Sequence, residues 1–179
     1  ANPEQPCNLP TQMADDPPLE QVVAKTIELG ARGRLSNGVS WNATIYDATN
    51  HDDILFVNSS SVSGQGYFTN VSSTTRQGFD LGLLLDGKKG SMNINYGFLL
   101  ARYGSNIDLP NEVNTSASSD LISVRKGDYL PNMPKHNLKI RSDYQIKPGF
   151  NVGATISAYS KAYMMGNENQ GHDSSQGLQ

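Results

Sequence analysis

Residues 76–86 read RQGFDLGLLLD, in which Phe79, Leu81, Leu83 and Leu85 fall on one parity and Gly78, Asp80, Gly82 and Asp86 on the other. Successive side chains of a β-strand point to opposite faces, so this stretch predicts a strand with one apolar and one polar face. Only Leu84 breaks the rule. The same rhythm recurs along the chain. It runs through Ile27, Leu29, Ala31, Gly33 and Leu35, and again through Val39, Trp41, Ala43 and Ile45. It returns in Met92, Ile94, Tyr96, Phe98 and Leu100, then Leu138, Ile140, Ser142, Tyr144 and Ile146, and last Phe150, Val152, Ala154, Ile156 and Ala158. Six alternating strands predict an all-β, antiparallel up-and-down meander.

The connections constrain the architecture further. SNG at 36–38, DGKKG at 86–90 and KPG at 147–149 are tight turns, because Asn and Gly accept positive φ and Pro presets its own. Between them lie two long polar stretches, about Asp47 to Gln65 (interrupted by ILFV at 54–57) and about Gly104 to Pro134, both predicted as loops. Short and long connections therefore alternate, placing every tight turn at one end of the sheet and every long loop at the other. A soluble sandwich has no reason to sort its loops this way, whereas an outer-membrane barrel has short periplasmic turns and long extracellular loops.

Periodicity alone does not say which face is wet. The polar parity carries Glu28, Arg32, Arg34, Asn42, Asn93, Asn95, Lys139, Arg141 and Asp143. These residues would meet solvent in a soluble sheet and line the lumen in a membrane barrel. Three features favour the barrel. The strands approach the roughly 9–11 residues needed to cross a bilayer at a tilt. Trp41, Tyr144 and Phe150 lie close to tight turns, where an interfacial aromatic girdle is expected. No amphipathic helix is present to cover an apolar sheet face.

Of 179 residues, 36% are hydrophobic and 17% charged, with a net charge of −3. The fourteen Lys and Arg are scattered along the chain, unlike the patch or stripe of a nucleic-acid surface, and no nucleic-acid partner is expected. No run of about 18 apolar residues predicts a transmembrane helix, and ANPEQPCNLPTQ lacks the pattern of a signal peptide. Cys7 is the only cysteine, an inert thiol or one whose partner lies outside this chain.

No nucleophile elbow, phosphate loop or metal-ligand cluster is legible, so no catalytic, cofactor or metal residue is assigned and no enzyme is expected. HDD at 51–53 and GHD at 171–173 fall in predicted loops without two His at ligand spacing. His51, Asp52, Asp53, His172 and Asp173 are thus solvated loop charge by default, and ligand-contacting loop candidates if the barrel reading holds. Arg32, Arg76, Asp80 and Arg141 share the lumen-facing parity and are expected to be structural, Arg76 and Asp80 as an interior ion pair of the wall.

The order and spacing of several segments resemble the later part of a TonB-dependent outer-membrane receptor, a 22-stranded barrel of Gram-negative bacteria. KTIELGARGRLSNGVSWNATIYDATNHDDILFV resembles a hairpin of that barrel. YFTNVSSTTRQGFDLGLLL carries an Asn followed by an Arg-x-Gly-x-acidic-Leu pattern, held by Asn70, Arg76, Gly78, Asp80 and Leu81. YLPNMPKHNLKIRSDYQI is similar to the entry into a later strand, with Leu130, Pro131, Pro134, Lys135 and His136 in place. CNLPTQMADDPPLEQVV is like a loop that in one subgroup has a second cysteine slightly upstream, which implies a loop disulfide for Cys7. The resemblance implies a bacterial outer-membrane location and import of a ferric siderophore, haem, cobalamin or metal complex. The partners it implies are outer-membrane lipid, the plug domain and remaining strands of the parent receptor, and TonB acting through an N-terminal region. It also implies about three further strands after residue 179, so the ending SSQGLQ reads as a truncation, a proteolytic end or the limit of an ordered part. A fragment of this kind is not expected to transport anything alone. The organisation expected is an extracellular-type loop over 1–22, a partial barrel over 23–165 and a loop-like tail over 166–179. A soluble antiparallel β binding module, for carbohydrate or similar, is the alternative. It needs a second layer over the apolar faces.

Overall fold

Alternating residues with β-branched and aromatic side chains form the strands, and Gly or Pro at the sharp corners closes them. A computed structural model describes residues 18–36, 38–58, 66–111 and 114–173. Cys7 with its expected disulfide, most of the 1–22 loop and the final residues of the tail lie outside the described residues. Eight strands form: β1 (Val23–Ser36), β2 (Val39–Asn58), β3 (Gly66–Gly87), β4 (Gly90–Tyr103), β5 (Ile107–Pro110), β6 (Leu121–Val124), β7 (His136–Lys147) and β8 (Phe150–Tyr159). Six of them make one antiparallel sheet in the order β1-β2-β3-β4-β7-β8, while β5 and β6 form a separate two-stranded ribbon. The chain is all-β, an antiparallel meander.

The register builds the two faces. Leu29, Ile45, Phe79, Phe98 and His136 lie in one cross-strand row, followed by Ala31, Ala43, Leu81, Tyr96, Leu138 and Ala158. Next come Gly33, Trp41, Leu83, Ile94, Ile140 and Ile156. The apolar face is heavily exposed, with Ile27 at 79%, Leu29 at 69% and Ile156 at 59%. Nothing covers it among the described residues. From Gly90 to Leu100 the band spans roughly 33 Å along the strand at about 3.3 Å per residue, or about 25 Å at a tilt of about 40°. That equals the apolar height of an outer-membrane barrel.

Aromatic rings edge the band toward the loop end. Phe79 lies 5.8 Å from Tyr96 and 5.4 Å from Phe98, and Phe98 lies 5.2 Å from His136 between ring centroids. The Tyr96 hydroxyl reaches Nδ1 of His136 at 2.7 Å. One row farther toward the loops the face turns polar, where the Gln77 amide donates to Asp47 at 2.5 Å. At the turn end, Trp41 lays its indole over Gly33, so that a Cβ there would stand 3.1 Å from Nε1. Aromatic cover of a strand glycine restores packing that the missing side chain gives up.

Two expectations need correction. The stretch from Asp47 to Gln65 is not a loop throughout: β2 continues to Asn58 and β3 begins at Gly66, paired from Asp47↔Gln77 up to Asn58↔Gly66. From Asp47 to Asp53 neither parity is apolar and ILFV at 54–57 is apolar on both, so hydrophobic alternation disappears while the backbone ladder persists. The segment 104–134 likewise contains the ribbon β5–β6, whose strands of 4 residues are too short for a periodic signal.

Candidate functional site

The only compact core among the described residues sits at the loop end, on the polar side of the sheet. Asp52 has a φ of 53°, which turns the backbone into the left-handed region and reverses the alternation of β2. Below it, even-numbered residues such as Asn42 and Tyr46 lie on the polar face. Beyond it Asp53, Leu55 and Val57 do. Val57 joins Ala101, Tyr103, Leu109, Ile122, Val124 and Leu130 in a buried cluster, with Leu55 and Tyr67 packed against it. The ribbon β5–β6 thus folds down over the polar face and gives the wall a local roof.

Asn70 holds the irregularity in place. Its side-chain amide donates to the Asp52 carbonyl at 2.6 Å and to the Glu20 carbonyl at 3.1 Å, while its oxygen accepts the Glu20 N–H at 2.7 Å. One side chain therefore substitutes for a backbone pair and ties the segment before β1 to the β2–β3 hairpin. Asp53, brought inside by the reversal, accepts from the Thr74 hydroxyl, from Arg76 Nη2 at 3.1 Å and from the Asn50 amide at 3.3 Å. Arg76 also donates to Thr74 Oγ1 at 2.9 Å. A buried carboxylate needs such partners, since leaving it unpaired costs several kcal/mol.

The tail closes the roof from the other side. Asn111 and Asn114 both donate to the Gly166 carbonyl, at 2.8 and 2.7 Å. Glu168 is only 7% exposed, accepts the Gly166 N–H at 2.8 Å and lines a cavity of about 130 Å³ with Arg76, Tyr103, Leu109, Leu130 and Met165. Burial pushes its carboxyl above the usual range, and backbone hydrogen bonds from Gly166 and from its own amide offset part of this.

Nearer the tight turns the polar face is an open trough of about 480 Å³ lined by Arg32, Arg34, Ser40, Asn42, Asn93 and Asn95. The Asn95 amide donates to Asn93 at 2.6 Å. No group of His, Cys, Asp and Glu suited to a metal occurs among the described residues.

The sequence profile of the TonB dependent receptor-like, beta-barrel family matches residues 3–177. The chain belongs to the TonB-dependent receptor β-barrel family. Two solved structures share the fold, the siderophore receptors PiuA and PirA of Acinetobacter baumannii. PiuA superposes at a TM-score of 0.55 with 21% identity over 78% of this chain and 19% of its own. PirA gives 0.54 with 15% identity over 88% of this chain and 23% of its own. The chain thus spans about a fifth of either receptor. No curated protein matches it by sequence.

Within this receptor family fold the sequence-predicted residues separate. His51, Asp52 and Asp53 are in strand β2 rather than in a loop, and Asp53 is buried in an ion pair. His172 and Asp173 pack on the long loop, where Nδ1 of His172 accepts the Thr115 N–H at 3.2 Å and Thr115 Oγ1 accepts the Asp173 N–H at 2.7 Å. Arg76 pairs with Asp53, not with Asp80, because the reversal at Asp52 swings a nearer carboxylate into reach. Asp80 instead lies beside Gly97, whose Cβ would stand 2.9 Å from its Oδ1. Arg141 pairs with Asp143 at 3.1 Å on an exposed surface, and Arg32 borders the trough. Asn70, Thr74 and Glu168 were missed as site builders. For Asn70 the signal was present, since it opens the Asn…Arg-x-Gly-x-Asp pattern.

Proposed function

We propose that this chain is one sector of the wall of an outer-membrane receptor that imports a scarce nutrient such as a ferric siderophore, haem, cobalamin or another metal complex. The apolar face meets lipid, and the polar face lines the lumen. The loop-end roof, with Asp53, Arg76 and Glu168 beneath it, forms part of the extracellular mouth where His51, Asp52, His172 and Asp173 can touch an incoming ligand. The parent receptor supplies the plug domain, the remaining strands and the region that engages TonB, so energy coupling lies outside these residues.

The observation that carries this reading is the uncovered apolar band of about 25 Å, bilayer height for a β-barrel, in a chain of this family. The siderophore receptors that share its fold favour an iron complex among the nutrients. The test is growth of a receptor-deficient Gram-negative strain on ferric siderophores as the iron source, with the complete receptor containing this segment supplied in trans. Restored growth that disappears when TonB is deleted is the expected result. Restored growth without TonB, or a receptor recovered from the soluble fraction, would overturn the reading.

A further inference from the structure

Arg102 shares the parity of Phe98 and Leu100, so it projects from the apolar side of the sheet, roughly 7 Å along the strand beyond Leu100 at about 3.3 Å per residue. Its neighbours Ala101 and Tyr103 are buried under the ribbon on the other side. Here the chain builds a cationic, aromatic pocket just above the apolar rows. Arg102 Nη2 donates to the Tyr129 hydroxyl at 2.9 Å, and its guanidinium carbon lies 4.9 Å from the ring centre. Lys135 Nζ stands 3.7 Å over the same ring, and Tyr163 stacks on Tyr129 at 6.1 Å. The adjoining cavity of about 320 Å³ is lined by Tyr129, Met133, Lys135, His136, Lys161 and Tyr163, with Ser160 and Ala162.

The cluster holds excess positive charge. Among the described residues the ion pairs are Arg76–Asp53 and Arg141–Asp143, so Arg102, Lys135 and Lys161 have no carboxylate partner. Arg102 Nε is buried without a hydrogen-bond acceptor. Asp128, the acidic residue next in sequence to Tyr129, turns its carboxylate to the Arg125 N–H at 2.8 Å. The Tyr129 hydroxyl is itself shifted toward ionisation, by its bond to Lys135 first and to Arg102 second. Lys135 and Lys161 line the cavity, and Arg102 is joined to it through Tyr129; such a group of unpaired cations calls for an anion with several acceptor oxygens.

Position selects the source of that anion. His136 lines the pocket and also belongs to the aromatic row of Phe79 and Phe98, so the cavity adjoins the lipid-type face. We infer that Arg102, Lys135 and Lys161, framed by Tyr129 and Tyr163, form a binding site for the phosphate headgroup of a lipid in the loop-side leaflet, whose acyl chains lie along Leu100, Phe98 and Phe79. The inference rests on the membrane reading above and adds to it a specific lipid contact. Basic side chains at a membrane surface attract anionic headgroups.

The test uses the complete receptor in nanodiscs of phosphatidylcholine doped with equal amounts of phosphatidic acid and diacylglycerol, which share acyl chains and differ in the phosphate. Native mass spectrometry then counts the lipids that stay bound. Wild type is expected to retain phosphatidic acid over diacylglycerol by about tenfold or more. The combined R102Q, K135Q and K161Q variant loses that preference, and K88Q with K89Q in the turn at the opposite end keeps it. Equal retention of both lipids by wild type, or an undiminished preference in the triple variant, overturns the site. So does displacement of the lipid by free inorganic phosphate, which would make this a site for a soluble anion. A receptor that fails to enter the nanodisc sinks the membrane reading and the site together, whereas an inserted barrel without lipid preference sinks the site alone.

Discussion

Gly78 shows what a single position in the Arg-x-Gly-x-Asp pattern has to do. A Cβ there would lie 2.6 Å from the Tyr46 hydroxyl and would also collide with the Phe98 carbonyl, a backbone atom that cannot swing aside. Gly78→Ala is therefore expected to destabilise the barrel by about 1–3 kcal/mol, read as a lowered unfolding midpoint in denaturant. Gly97→Ala provides the comparison, because its nearest obstacle at 2.9 Å is the mobile carboxylate of Asp80, and a clearly smaller loss is expected. Sequence parity placed Gly78 on the polar face but gave no reason for a glycine, since the reasons are a carbonyl and a tyrosine on the two neighbouring strands. The ion pair was misread for a related cause. Asp80 sits four positions from Arg76 in sequence, yet a left-handed Asp52 delivers Asp53 to it from β2. Asp53→Asn should cost roughly 2 kcal/mol, the scale of a hydrogen bond to a charged group, whereas Asp80→Asn should leave Arg76 unaffected. Comparable losses in both variants would mean that Arg76 is shared between the two carboxylates.

Among the elements, the strands of the apolar band were legible because one face must be apolar and the other polar, and the turns carried their own chemistry. The upper half of β2 was not, because from Asp47 to Asp53 neither parity is apolar and ILFV at 54–57 is apolar on both. The ribbon β5–β6 and the docked tail escaped for another reason: their stability comes from long-range packing on Tyr103 and Leu130 and from asparagine side chains, with little local periodicity. The tail carries its own pH signature. Burial raises the Glu168 carboxyl above its ordinary 4.5, so the docked state holds a proton that the undocked state releases. Docking is therefore strongest below that ordinary value and weakens as pH rises from there through the raised value. Amide exchange of residues 161–173, corrected for intrinsic rates, should show protection falling over that interval. Glu168→Gln should flatten the dependence while keeping the tail docked, and a pH-dependent profile in that variant would shift the titration to another group.

At the scale of the whole molecule, the sheet is unfinished at both sides. Among the described residues β1 and β8 each pair with one neighbour only, and all ten residues of β8 are exposed. A bare strand edge offers unpaired N–H and C=O groups to any other strand, and an exposed apolar face larger than a few hundred Å² invites association in water. Both conditions are relieved in a closed barrel, where further strands pair with β1 and β8 and lipid covers the row from Leu29 to His136. The siderophore receptors PiuA and PirA extend well beyond the part this chain matches. The 179-residue chain produced alone should accordingly associate in plain buffer and become a uniform species only with detergent. Light scattering behind size exclusion decides it. Masses at multiples of 19.4 kDa without detergent, collapsing to one chain per micelle with it, are the expected result. A monodisperse 19.4 kDa monomer in buffer would mean that the sheet folds over on its own apolar face, and the lipid-facing assignment of Leu29, Phe79 and Phe98 would fail with it.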